Sequence, residues 1–101
     1  MAISYDTNTD GGFQIKIAGN FDYTLHESFR KILDAAQSSG THKLIIDMGE
    51  VEQVDGSAMG MLLLLRDNCG SENCDVTVTR CSPEILRLFK TANLDNYFNF
   101  R

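Results

Sequence analysis

The sequence predicts an α/β domain: a short hairpin, then helix and strand in alternation three times over. Three observations carry this. Apolar and polar residues alternate with period two in AISYD and FQIKIAG; apolar residues recur at helical spacing in YTLHESFRKILDAAQSSG; and a nearly continuous apolar run, KLIIDM, lies mid-chain between two helical patterns. At 101 residues and 43% hydrophobic content, one domain spanning 1–101 is expected, with a core that needs no staple.

Each element follows from its residues. AISYD and FQIKIAG are separated by the turn-rich NTDGG and read as an antiparallel hairpin with one buried face. After Gly19 the pattern turns helical, with Leu25, Phe29, Ile32, Leu33 and Ala36 on one stripe, a capping box at Thr24 and Glu27, and Gly40 at the far end. KLIIDM reads as a central strand buried on both faces. SAMGMLLLLRDNCG is a second helix closed by Gly70, and DVTVTR a strand of parallel type. SPEILRLFKTAN is a third helix with Ser82 as cap and Pro83 at its first position, and YFNF is a short last strand. Strands alternating with helices of this length imply right-handed crossovers and a largely parallel sheet.

Composition narrows function. A net charge of −5 and nine scattered basic residues argue against nucleic acid as a partner, because phosphate binding needs clustered Lys and Arg. The longest apolar run, MGMLLLL, is far short of the ~20 residues of a membrane span. The opening MAISYDTNTDGG is polar, with no secretory apolar region, so a cytoplasmic, reducing setting is expected, with Cys69, Cys74 and Cys81 as free, packing thiols. The spacing of Cys69 and Cys74 matches no common zinc pattern, and His26 and His42 lie far off in sequence, so no metal site is expected.

Functional groups on an open α/β sheet gather at the carboxyl ends of strands. Asp22 precedes the first helix, Asp55 and Ser57 the second, and Ser82 the third. Ser57 is expected at or near the N-cap of the second helix, a role worth about 1 kcal/mol. A phosphate on that hydroxyl would meet the positive end of the helix dipole, so the fold could hold it while a partner felt its charge. On a helical wheel Ala58, Met61, Leu62, Leu65 and Cys69 form the stripe suited to the sheet. Met59, Leu63 and Leu64 fall outside it, more apolar surface than one sheet contact uses. Enzyme readings fare poorly: Ser57 has no evident base, and DGSAMG is not a G-x-S-x-G elbow because position 55 is Asp. A small nucleotide-binding protein on a similar sheet is the alternative of a different class.

Taken together, the hairpin, the GNFD turn with Asp22, the KLIIDMGEV strand followed by VDGSAMG, and the NLDNYF ending resemble the STAS-domain family over essentially the whole chain, specifically the single-domain anti-anti-sigma factors of bacterial partner-switching systems. The family's phosphoacceptor motif reads Asp-Ser-Ser-Gly-Leu-Gly. Asp55, Ser57, Met59 and Gly60 match it; Gly56 stands where the first Ser would be and Ala58 where the first Gly would be, so Ser57 is the motif's one hydroxyl. The resemblance implies a STAS fold, a mixed, largely parallel sheet with helices mainly on one face. It implies a non-enzymatic switch without cofactor: unphosphorylated at Ser57, with Asp22, Asp55 and Gly56 nearby, it binds an anti-sigma factor or GHKL-type serine kinase through Ala58, Met59, Gly60 and Leu63. Phosphorylation releases it and a PPM-type phosphatase resets it. The family's other implied role is a STAS scaffold or regulatory subunit of a transporter or stressosome-like complex; the freestanding length argues against a fused transporter domain, though not against a separately encoded subunit.

Overall fold

A computed structural model describes residues 2–7, 12–70 and 73–101. Five strands form one sheet in the order β1 (Ile3–Thr7), β2 (Phe13–Phe21), β3 (Lys43–Val54), β4 (Asp75–Thr79) and β5 (Asn99–Phe100). β1 and β2 pair antiparallel, Ile3 opposite Ile17 and Thr7 opposite Phe13, and every other pairing is parallel. The expected hairpin is therefore present, while residues 8–11 of its turn lie outside the described residues. Helices α1 (His26–Ser39), α2 (Gly56–Cys69) and α3 (Pro83–Thr91) make the three crossovers. Because each crossover advances to the next strand in the same direction, right-handedness places all three helices on one face.

Side-chain alternation agrees. Tyr5, Ile15, Ile46, Val78 and Phe100 stand opposite one another across all five strands, and the middle three are fully buried beneath the helices. Phe29, Ile32 and Leu33 of α1 pack there, with Leu62 and Leu65 of α2 and Ile85 and Phe89 of α3. The neighbouring row faces away and is polar: Ser4, Lys16, Asp47 and Thr79. β3 is thus the central strand, as expected, but only one of its faces lies under helices; Ile45, on the other, is half-buried.

Four local expectations change. β2 does not end at Gly19 but continues to Phe21, because Gly19, at φ 78°, sits in a bulge where the pairing with β3 slips register. Thr24 and Glu27 form no capping box at the start of α1; a 3-10 turn, Tyr23–Leu25, precedes the helix and Asp22 caps it. Cys69 and Cys74 are not free thiols but a disulfide joining the end of α2 to the start of β4, while Cys81 is free. The last strand is shorter than YFNF, since Leu94–Asn96 form a 3-10 turn and only Asn99 and Phe100 pair with β4.

On the helix-free face Asp47 is the best-held carboxylate. Arg80 grips it with two bonds, Nε to Oδ1 at 2.9 Å and Nη2 to Oδ2 at 2.7 Å, and the Gly49 N–H donates to Oδ1 at 3.0 Å. The guanidinium lies where a side chain at position 49 would start, 2.7 Å from a built Cβ, so only glycine fits without displacing it. Arg80 itself adopts a left-handed backbone, φ 59°. The Arg80 hydrogen bond, followed by that of Gly49, holds the Asp47 carboxyl below its ordinary 3.8 despite burial. A lowered folded-state pKa means that this stabilisation is complete above the unfolded value and lost as pH falls through the folded one. Asp47→Asn is therefore expected to lower the thermal midpoint at neutral pH by about 5 °C. It should also lose less stability than the parent between about pH 4 and pH 2. Equal acid sensitivity of the two proteins in circular-dichroism melts would contradict this.

Candidate functional site

Parallel pairing sets the site. Phe21 at the end of β2 stands opposite Val54 at the end of β3, so Asp22 and Asp55 are the first residues beyond two adjacent strand ends. Both are extended and both turn their carboxylates back onto the helical turn that follows. Asp22 accepts from the Thr24 N–H at 3.0 Å and from the Thr24 hydroxyl.

At Asp55 one oxygen does two things. Oδ1 accepts the Ala58 N–H at 3.1 Å, which caps α2, and accepts the Ser57 hydroxyl at 2.6 Å. Ser57, expected at or near the cap, lies two residues beyond it: Asp55 is the N-cap, Gly56 the first helical residue and Ser57 the second. Ser57 is exposed, and its hydroxyl is directed at a charged acceptor at the short distance typical of O–H···O⁻ bonds. The Ser57 hydroxyl, followed by the Ala58 N–H, pulls the Asp55 carboxyl below its ordinary value. Gly56 is exposed, with open space where a Cβ would be.

α2 runs from this point across the sheet. Its buried stripe is Ala58, Met61, Leu62, Leu65 and Cys69, the set expected from the wheel. Ala58, expected in the partner-binding set, is wholly buried. Gly60 is exposed, Met59 and Leu63 are half-buried along one flank, and Leu64 is 46% exposed. A groove of about 340 Å³ between α1 and α2 is lined by His26, Arg30, Met61 and Leu64 among others. Tyr23, 72% exposed beside Asp22, is an aromatic that the sequence reading passed over. Its exposure depends on β2 ending at Phe21, which alternation alone did not reveal. Arg66, in the last turn of α2, stacks on Tyr97 at 5.1 Å, tying that turn to the chain leading into β5. Among the described residues no group of three His, Cys, Asp or Glu is placed to hold a metal ion, and no helix is long and apolar enough to cross a membrane.

Comparison with known proteins places this geometry in a family. Residues 6–100 match the family model described as "Mlab, STAS domain". A STAS-domain containing protein of Pseudomonas aeruginosa (strain UCBPP-PA14) is 34% identical over 99 residues, covering 97% of each chain. The chain belongs to the STAS-domain family. Among solved structures, the anti-sigma factor antagonist SpoIIAA in its unphosphorylated form is 17% identical, with a TM-score of 0.72 over 94% of this chain and 96% of that one. Bacillus SpoIIAA in the phosphorylated form is 18% identical, with a TM-score of 0.76 over 99% of this chain and 91% of that one. A sulfate transporter family protein from Wolinella succinogenes is 15% identical, with a TM-score of 0.74 over 94% of this chain and 80% of that one. At these identities the likeness establishes the SpoIIAA-like fold, and no more.

The shared Asp55 oxygen makes a direct prediction. Asp55→Ala removes the cap and should lower the thermal midpoint by about 5 °C, whereas Asp55→Asn, still a good cap, should stay close to the parent. Parent-like melting of Asp55→Ala would contradict the capping role.

Proposed function

We propose that this domain is a cytoplasmic anti-sigma factor antagonist, a protein-binding switch that acts through its surface and not through a reaction of its own. Unphosphorylated at Ser57, it binds and sequesters an anti-sigma factor or the GHKL-type serine kinase that serves as one; phosphorylation of Ser57 releases it, and a PPM-type phosphatase restores it. The observation that carries the reading is the Ser57 hydroxyl, exposed in the first turn of α2 and held at 2.6 Å by Asp55. The likeness in fold to SpoIIAA, known in unphosphorylated and phosphorylated forms, supports it.

The chemistry is compatible with the geometry. A kinase transfers the γ-phosphoryl group of ATP to Ser57 Oγ, ADP leaves, and the hydroxyl proton passes to Asp55 or to solvent. A carboxylate held below its ordinary pKa is a weak base, so Asp55 chiefly fixes where the oxygen points. Phosphoryl transfer through a loose transition state asks for positioning more than for prior deprotonation. The product carries about −1.5 to −2 charges beside Asp55, and the bond from hydroxyl to carboxylate no longer exists. The helix dipole offsets part of that charge within the domain. A partner seated on Met59, Gly60 and Leu63 meets the charge that remains.

A second reading, a STAS scaffold or regulatory subunit of a transporter or stressosome-like complex, draws on the likeness to the Wolinella transporter family protein. Binding measurements separate the two. Against the cognate anti-sigma protein or kinase, Ser57→Ala should bind within about twofold of the parent, and Ser57→Glu should lose about tenfold or more. Met59→Lys should lose as much while keeping its circular-dichroism spectrum. Equal binding by all four proteins would remove the switch and leave the scaffold reading.

A further inference from the structure

We propose that Cys69 and Cys74 form a reversible thiol–disulfide site, exchanging with small-molecule thiols and disulfides, that clamps the C-terminal end of α2 to the start of β4. This site is independent of the proposed switch and lies at the other end of the same helix, about 18 Å along the axis from Ser57.

Geometry brings the two cysteines together. Gly70 closes α2 at φ 121°, a conformation that other residues rarely adopt, and its N–H donates to the Arg66 and Asp67 carbonyls. The chain turns sharply there, and Cys74 returns with its Cα 5.6 Å from that of Cys69, within the range disulfides require. The residue just before β3, His42, is wired to both sides of this clasp. His42 Nδ1 lies 3.2 Å from the Cys69 carbonyl oxygen, and the Asp75 N–H donates to the His42 carbonyl at 2.7 Å.

The reduced state is provided for as well. The Cys69 sulfur lies 3.2 Å from the Thr41 carbonyl oxygen, so a thiol there has an acceptor in place. Both sulfurs sit among core residues, Cys69 8% and Cys74 7% exposed, and a thiol pair packs there without leaving a charge. Cys81 differs: it pairs with no other cysteine, and burial pushes its thiol up to about 11, which makes it a poor nucleophile.

Exchange with a low-molecular-weight disulfide balances simply. One S–S bond forms between Cys69 and Cys74, the reagent's S–S bond breaks, and two reagent thiols leave with the two protons and two electrons of the cysteine pair. A dithiol such as dithiothreitol reverses the step and becomes the cyclic disulfide.

The full chain, equilibrated in glutathione disulfide or in dithiothreitol, is alkylated after denaturation and weighed. One alkylatable thiol, Cys81, is expected in the first case and three in the second, with peptide mapping placing the link between Cys69 and Cys74. The reduced protein should melt cooperatively about 10 °C below the oxidised one. Hydrogen exchange should accelerate about tenfold or more at Asn68, Cys69 and Gly70 while staying unchanged at Met59 to Met61. A Cys69→Ser/Cys74→Ser variant should melt like the reduced parent and ignore dithiothreitol. If that variant does not fold, the reduced and oxidised parent still decide. Three thiols after glutathione disulfide, a bond that includes Cys81, or equal midpoints for the two parent forms each overturns the proposal.

Discussion

The Asp55 carboxylate is the interaction from which the candidate site is built. A single oxygen satisfies an amide at the start of α2 and fixes the hydroxyl of Ser57. Helix initiation and presentation of the hydroxyl are thus one structural event: wherever α2 begins, Ser57 is held one residue further on, at the surface. A carboxylate suits this double role because it accepts several bonds at once, and charge-assisted bonds are the stronger ones. The same arrangement makes the junction sensitive to charge, since a phosphate on Ser57 would stand against the group that had held it.

The sheet decides what surrounds that junction. With strands in sequential order and every crossover of the same hand, the helices share one face and the helix N-termini share one edge. Adjacent parallel ends at Phe21 and Val54 bring Asp22 and Asp55 to that edge together, with exposed Tyr23 beside them. Among the described residues the opposite face carries no helix; on its polar row exposed Arg80 meets water and covers the buried Asp47 carboxylate. α2 then carries the surface away from the junction, its buried stripe on the sheet and Gly60 and Leu64 outward.

Much of this was legible in the residues because it rests on periodicity. The alternation of FQIKIAG, the stripe through Phe29, Ile32 and Leu33, and the five buried residues of α2 all lie where spacing placed them. What escaped depends on choices that periodicity does not encode. Asp and Ser are comparable caps, so VDGS admits a helix start at either residue, and the backbone settled on Asp55. Gly19 looks like the end of a strand, yet a bulge absorbs it and pairing resumes through Phe21. Ala58 occupies a position of the phosphoacceptor motif, but one turn of a helix points it inward. The cysteine pairing escaped for a different reason. It follows from how α2 ends and β4 begins, which composition and the inferred setting cannot show.

In the proposed switch, a phosphate on Ser57 would change the surface a partner meets and leave the fold alone. The most direct measurement is a comparison of amide NMR spectra of the unphosphorylated protein and the protein phosphorylated at Ser57. Chemical-shift changes confined to residues 22–24 and 55–60, with the helical signals of α2 retained, are the predicted result. Changes spread through Phe13–Phe21 and Asp75–Thr79, or loss of the α2 signals, would contradict it.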